Sequence, residues 1–243
     1  MNLLKQINGY QIYCLIKNYD IMKTDYEIKE DVLSELVWQP NIDETKIGVI
    51  VEDGVVTLSG VVDNYTKKIA AEKAAKAVKG VKAVTLDIEV KYGTDYKKTD
   101  KEIAKAVINA MAWDTSVPED NVSVKVEDGW VYLSGELNWF YQKDAAKKAV
   151  ENLLGVKGVV NSIHIKQAVE PTQIKERITK AFERSADVNA RNITVSIDGH
   201  TVTLLGIVNS MAEKDEAQRT AYFAPGVYEV KNELKVQYQR EFA

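Results

Sequence analysis

The chain has 243 residues, a single cysteine, and 32 basic against 36 acidic side chains for a formal charge of -4. So even a balance excludes nucleic-acid binding driven by phosphate neutralisation, and one cysteine excludes disulfide or cysteine-metal staples, so the fold must rest on apolar cores. No stretch is long and apolar enough to span a bilayer as a helix.

Residues 1–23 read as an amino-terminal tail. Gln6 to Ile16 is uncharged and follows Lys5, a superficial likeness to a secretory signal. Gln6, Asn8, Gly9, Tyr10 and Gln11 interrupt it, Lys17 and Asp20 close it, and no small-residue cleavage site follows. The expected compartment on this reading is the cytoplasm, with translation starting at Met1 or at Met22.

From residue 24 the chain repeats itself. Val51-Glu52-Asp53-Gly54 with Thr57-Leu58-Ser59-Gly60 returns as Val126-Glu127-Asp128-Gly129 with Tyr132-Leu133-Ser134-Gly135, and Trp38 and Trp113 keep the same offset. A weaker third copy reads Ile197-Asp198-Gly199-His200 and Thr203-Leu204-Leu205-Gly206. Positions shared by all copies describe the fold, and positions that differ are where function is sought.

Each unit opens with a helix. Thr24, Asp25 and Glu27 start the first and Thr99, Asp100 and Glu102 the second, both with a Thr-x-x-Glu capping box, and Glu170-Pro171 starts the third. The apolar stripes are Ile28, Val32 and Leu36; Ile103, Val107 and Met111; Ile174, Ile178 and Phe182. A period of two follows in Ile47, Val49 and Val51, in Val122, Val124 and Val126, and in Ile193, Val195 and Ile197, which predicts a strand. An Asp-Gly turn then pairs it with an antiparallel strand that turns Val56 and Leu58, Val131 and Leu133, and Val202 and Leu204 inward. In the third copy Gly199 sits one place earlier, which leaves that turn type open.

A second helix follows with a small-residue face: Ala71, Ala75 and Val78; Ala146, Val150 and Leu153; Ala217, Ala221 and Ala224. Such a face predicts close packing rather than a cavity wall. Gly80-Val81, Gly155-Val156 and Gly226-Val227 stop it and lead into a last strand. The predicted fold is α+β: three tandem αββαβ two-layer sandwiches, each a three-stranded mixed sheet with two helices on one face. The other sheet face stays open or packs on another unit, and it carries Ile50, Val55 and Thr57 in the first copy, Lys125, Trp130 and Tyr132 in the second, and Ser196, Thr201 and Thr203 in the third.

The order of elements, the Gly-Val-x-x-Val junction and the Leu-Ser-Gly hairpin end together resemble the BON domain, named for bacterial osmotically inducible and nodulation proteins. The likeness covers 24–92, 99–167 and 170–238. It implies a bacterial, non-enzymatic protein that attaches to phospholipid surfaces or envelope proteins under osmotic or other envelope stress, and it implies the periplasm as an alternative compartment.

Comparing copies marks one candidate contact surface. Trp139-Phe140-Tyr141 enters the second helix of the middle unit where the other copies have Asn64-Tyr65-Thr66 and Ser210-Met211-Ala212. Phe140 aligns with large apolar residues and is expected to pack. Trp139 and Tyr141 align with small or polar ones, and with Lys143, Lys147 and Lys148 they suit an anionic lipid surface or a peptide; the alternative is that both aromatics cover a junction between units. The rival surface, for a chaperone-like role, is the open sheet face with Ile50, Val55, Trp130 and Tyr132. The lysine-rich second helix of the first unit (Lys67, Lys68, Lys73, Lys76, Lys79) reads as a solvated face. Gly155-Val156-Lys157-Gly158 fits a GxxG nucleic-acid clamp only by chance, because it joins a helix to a strand. His164 should face outward, and with His200 in a turn it makes no metal set. The sequence thus predicts no catalytic group, cofactor or metal.

Overall fold

The computed structural model describes residues 23–93, 98–166 and 174–237. The amino-terminal tail before Lys23 and the Glu170-Pro171 start lie outside the described residues. The first unit runs α1 (Asp25–Trp38), β1 (Ile47–Glu52), β2 (Val55–Val62), α2 (Tyr65–Ala77) and β3 (Ala83–Val90). The second runs α3 (Asp100–Trp113), β4 (Val122–Glu127), β5 (Trp130–Leu137), α4 (Phe140–Glu151) and β6 (Gly158–Ile165). The third runs α5 (Ile174–Arg184), β7 (Ile193–Asp198), β8 (Thr201–Val208), α6 (Met211–Tyr222) and β9 (Glu229–Val236). In every unit the hairpin's second strand is central, antiparallel to the first and parallel to the last. The predicted α+β sandwiches are therefore present three times.

Local chemistry explains the repetition. Thr24 and Glu27, and again Thr99 and Glu102, complete reciprocal capping boxes. The next residue does more than start a helix: Asp25 accepts hydrogen bonds from the Asp53 and Gly54 amides, both at 2.8 Å, and Asp100 does the same for Asp128 and Gly129, both at 2.9 Å. The first helices of these two units are thereby tied to their hairpin turns. Those turns have positive φ at both central residues, as a type I′ turn requires, whereas the third has it at Gly199 and not at His200, the φ pattern of type II′. Gly60, Gly135 and Gly206 are obligatory, because a Cβ there would lie 2.0 Å from the carbonyl oxygen of Lys46, Asn121 or Asn192.

The cores hold the predicted stripes. Val32, Leu36, Val56, Leu58, Ala71 and Ala75 are wholly buried in the first unit, with their equivalents in the other two. Truncating such a leucine to alanine costs about 2–5 kcal/mol. The buried residues of the first two units form one continuous cluster, while the third has its own.

The second helices join the sandwiches in a cycle, the amino-terminal end of each meeting the carboxyl-terminal end of the next. From first to second unit, Tyr65 is buried, Thr66 Oγ1 bonds Asn152 at 3.1 Å, and the Tyr92 hydroxyl donates to the Val156 carbonyl at 2.7 Å. From second to third, Phe140 stacks on Tyr222 with ring centres 4.5 Å apart and meets Phe223 edge-on at 5.6 Å. From third back to first, the Gly80 amide donates to the Asn209 carbonyl at 3.1 Å, Lys76 pairs with Asp215 at 2.8 Å, and Met211 packs against the cluster shared by the first two units. The ends of the described chain come together, since Lys23 and Asp25 line one depression with Val236 and Gln237. The small alanine faces of the second helices are buried in their own units' cores, so it is largely charged side chains that the helices turn toward one another.

Candidate membrane- and partner-binding surfaces

The start of α4 carries the residues singled out by comparing copies. Trp139 is half-buried and its amide donates to Gln142 Oε1 at 3.1 Å. Phe140 packs as expected, but on the next sandwich rather than in its own core. Tyr141 is 45% exposed. Lys143 is half-buried and donates to the Ile163 carbonyl at 2.7 Å, and burial lowers its pKa below the usual lysine value. Its counterparts do the same, Lys68 to Ile88 at 2.8 Å and Lys214 to Leu234 at 2.6 Å, so this lysine is a repeated tie between the second helix and the last strand.

Lys147 pairs with Glu151 at 3.2 Å and Lys148 with Asp144 at 2.8 Å. Both line a depression of ≈ 460 Å³ between the three second helices, together with Glu72, Lys76, Asp215 and Arg219. At this junction burial would lower the Lys76 ammonium, but its bonds to Asp215 and Glu72 outweigh that and raise it above the usual lysine value. The structure thus brings Lys147 and Lys148 together in a paired ionic centre and places Tyr141 on an exposed surface.

The open sheet faces do not pack on one another. Ile50 is 57% exposed, and Val55, Trp130 and Tyr132 are exposed too. In the middle sheet Trp130 lies over Gly158, where a Cβ would come within 2.4 Å of the indole. Lys125 sits 5.5 Å from the centre of the neighbouring Tyr132 ring and bonds Glu127 at 2.7 Å, which raises its pKa. His164 is exposed, as its strand position predicts.

Sequence comparison missed two functional candidates. Trp38 and Trp113 end α1 and α3 and are 82% and 88% exposed. Their signal was present: the tryptophan repeats in two copies but not in the third, where Arg184 stands. Along α3 the exposed stripe Lys101, Lys105, Ile108, Ala112 leads to Trp113, and along α1 Tyr26, Glu30 and Val37 are exposed on the way to Trp38.

Among the described residues no helix is long and apolar enough to cross a membrane, and no group of three or more His, Cys, Asp or Glu is placed to hold a metal ion. The sequence profile of the BON domain matches residues 24–92, 99–167 and 171–238. The chain belongs to the BON domain family. Among BON relatives, the osmotically-inducible protein Y of Escherichia coli (strain K12) is 34% identical over 151 residues, which is 58% of this chain and 73% of that protein. A 21 kDa hemolysin of Actinobacillus pleuropneumoniae is 28% identical over 127 residues, 51% of this chain and 65% of that one. Among solved structures, CdsD, a structural protein of the type III secretion system of Chlamydia trachomatis, aligns over 86% of this chain and 91% of its own at 17% identity with a TM-score of 0.23.

Proposed function

We propose that this BON protein is a non-enzymatic, stress-associated bacterial protein of the cell envelope that binds anionic phospholipid peripherally. Membership of the family and similarity to an osmotically inducible protein support the stress and envelope part of the reading. The observation that carries the lipid part is the pair of almost wholly exposed indoles at the ends of the first helices. Such a ring is poorly placed in water and well placed at the headgroup level, where its apolar body and polar N–H both find partners.

The middle unit leads this contact. Its α3 stripe adds Lys101 and Lys105 to Ile108 and Trp113, and each lysine near an anionic surface contributes about 1 kcal/mol. The first helix instead carries Asp25, Glu27, Glu30, Asp31 and Glu35, which such a surface repels. Trp139 and Tyr141 serve as a secondary aromatic pair. Lys143, Lys147 and Lys148 are poorer contacts, because a headgroup must compete with their existing partners.

Liposome flotation with and without anionic lipid tests the reading. Binding that needs anionic lipid and weakens in Trp113→Ala and in Lys101→Glu/Lys105→Glu is expected; folded protein that floats with neither vesicle removes it. Fractionating native cells, with mass spectrometry of the mature amino terminus, assigns the compartment and the start site.

A second reading, polypeptide binding by a chaperone-like module, is favoured by the exposure of Ile50, Val55, Trp130 and Tyr132 on open sheet faces. Protein that restrains aggregation of an unfolded client while ignoring liposomes, and loses that effect in Ile50→Ser/Trp130→Ser, selects this reading over the first.

A further inference from the structure

Glu213 shows what one corner of the sandwich holds. Its buried carboxylate accepts the Asn189 amide at 2.9 Å on one oxygen and the Asn209 amide at 2.8 Å on the other, and so bridges the loop before β7 to the loop before α6. The other two sandwiches build this corner differently. In the second, Pro118 stands at the place of Asn189 and has no amide proton, and Gln142, at the place of Glu213, turns back to the Trp139 amide. In the first, Asp43 and Asp63 provide both loop amides, but Lys67 stands where the carboxylate would be. The backbone is nearly the same in the first and third. At Asp43 φ is -97° and ψ 95°, against -82° and 90° at Asn189; at Asn64, which follows Asp63, they are -155° and 161°, against -148° and 162° at Ser210. Among the described residues, neither the Asp43 nor the Asp63 amide has an acceptor.

The charge of the corner changes in the same sense. Lys46, Lys67 and Lys91 line a depression of ≈ 530 Å³ there, with Asp43, Asp63 and Val61. Their counterparts are Asn121, Gln142 and Lys166 in the second unit and Asn192, Glu213 and Gln237 in the third. The lysines pair with Asp43 at 2.8 Å, Asp63 at 2.7 Å and Glu89 at 2.9 Å, and these pairs are open enough to solvent to contribute little and to yield to an incoming anion. Two amides aimed at one point add the directed donors that a surface ion pair lacks.

We propose that this corner of the first sandwich binds a small organic carboxylate, which takes the place that the Glu213 side chain occupies in the third. Its two oxygens accept from the Asp43 and Asp63 amides, and Lys46 and Lys67 supply the opposite charge. A short aliphatic stem, like the methylenes of Glu213, lies against Val61 and the lysine stems. This inference does not rest on the lipid reading.

Amide NMR of the full chain, titrated with sodium butyrate in exchange for sodium chloride at constant ionic strength, tests it. The expected result is a saturable downfield shift of the Asp43 and Asp63 amides below ~100 mM butyrate, with the Asn189 and Asn209 amides unmoved because their acceptor is in place. Lys67→Glu rebuilds the internal carboxylate, so both amides should lie downfield without butyrate and ignore it when added. Lys46→Gln, which leaves the amides alone, should weaken binding about fivefold. Inorganic phosphate is the competing probe. Amides that do not saturate with butyrate, that answer phosphate but not butyrate, that respond equally in Lys67→Glu, or that move no more than those of Asn189 and Asn209 overturn the proposal.

Discussion

The joint between the first and second sandwiches and the joints that hold the third use the same helix positions with different partners. At the leading position of the second helix stand Tyr65, Phe140 and Met211, each reaching the next sandwich in the cycle. Tyr65 is buried against a shared core, whereas Phe140 stays half-buried against Tyr222 and Phe223. One geometry, repeated three times, thus supports one joint set in a shared apolar cluster and two that add ion pairs to aromatic and apolar contact. Repetition fixes where units meet, and the side chains at each meeting decide how firmly.

The largest expected effect follows from breaking the apolar joint. Tyr65→Ala should destabilise the first two sandwiches by about 3 kcal/mol, while Phe140→Ala, at the half-exposed joint, costs about 1 kcal/mol. Calorimetry of both variants measures the gap, and equal losses would erase the distinction between joints. Next comes Glu213, which is buried and accepts from the Asn189 amide at 2.9 Å and the Asn209 amide at 2.8 Å. Glu213→Ala leaves two donors unpaired and should cost about 2 kcal/mol in the third sandwich alone, as hydrogen exchange will show by locating the loss.

Alkaline pH should loosen the joint between the first and second sandwiches. Burial raises the phenols of Tyr65 and Tyr92 above the ordinary 10.0. Because the folded form holds these protons more tightly than the unfolded one, their stabilisation is complete below pH ~10 and is lost as pH rises through the raised values. A pH titration of thermal stability should show this loss in the wild type and a smaller one in Tyr65→Phe/Tyr92→Phe. The smallest effect is Lys76→Gln, expected to cost under about 1 kcal/mol in dilute buffer and nothing measurable in 1 M salt.

Much of the fold was legible because repetition tests each local reading three times. The stripe Ile28, Val32 and Leu36 and the inward pair Val56 and Leu58 announce themselves by period, and Asp53-Gly54 by the φ > 0 its turn demands. Contacts between units leave no such period. Phe140 reads as a packed residue, yet nothing local says that its partner is Tyr222, some eighty residues away. The lysines at 68, 143 and 214 did carry a signal, since identity in all copies marks a structural role, and each indeed bonds a carbonyl of the last strand. Conversely, a tryptophan repeated only at 38 and 113 looks like framework in sequence, and only its exposure shows that no core claims it.

The most direct measurement places the Trp113 indole relative to a bilayer. In a Trp38→Phe/Trp130→Phe/Trp139→Phe protein this is the remaining tryptophan, and brominated anionic vesicles should shift its emission to the blue and quench it, with Lys101→Glu/Lys105→Glu abolishing both changes. Vesicle-bound protein whose indole still emits as if in water would contradict the assignment of the end of α3 as the lipid contact.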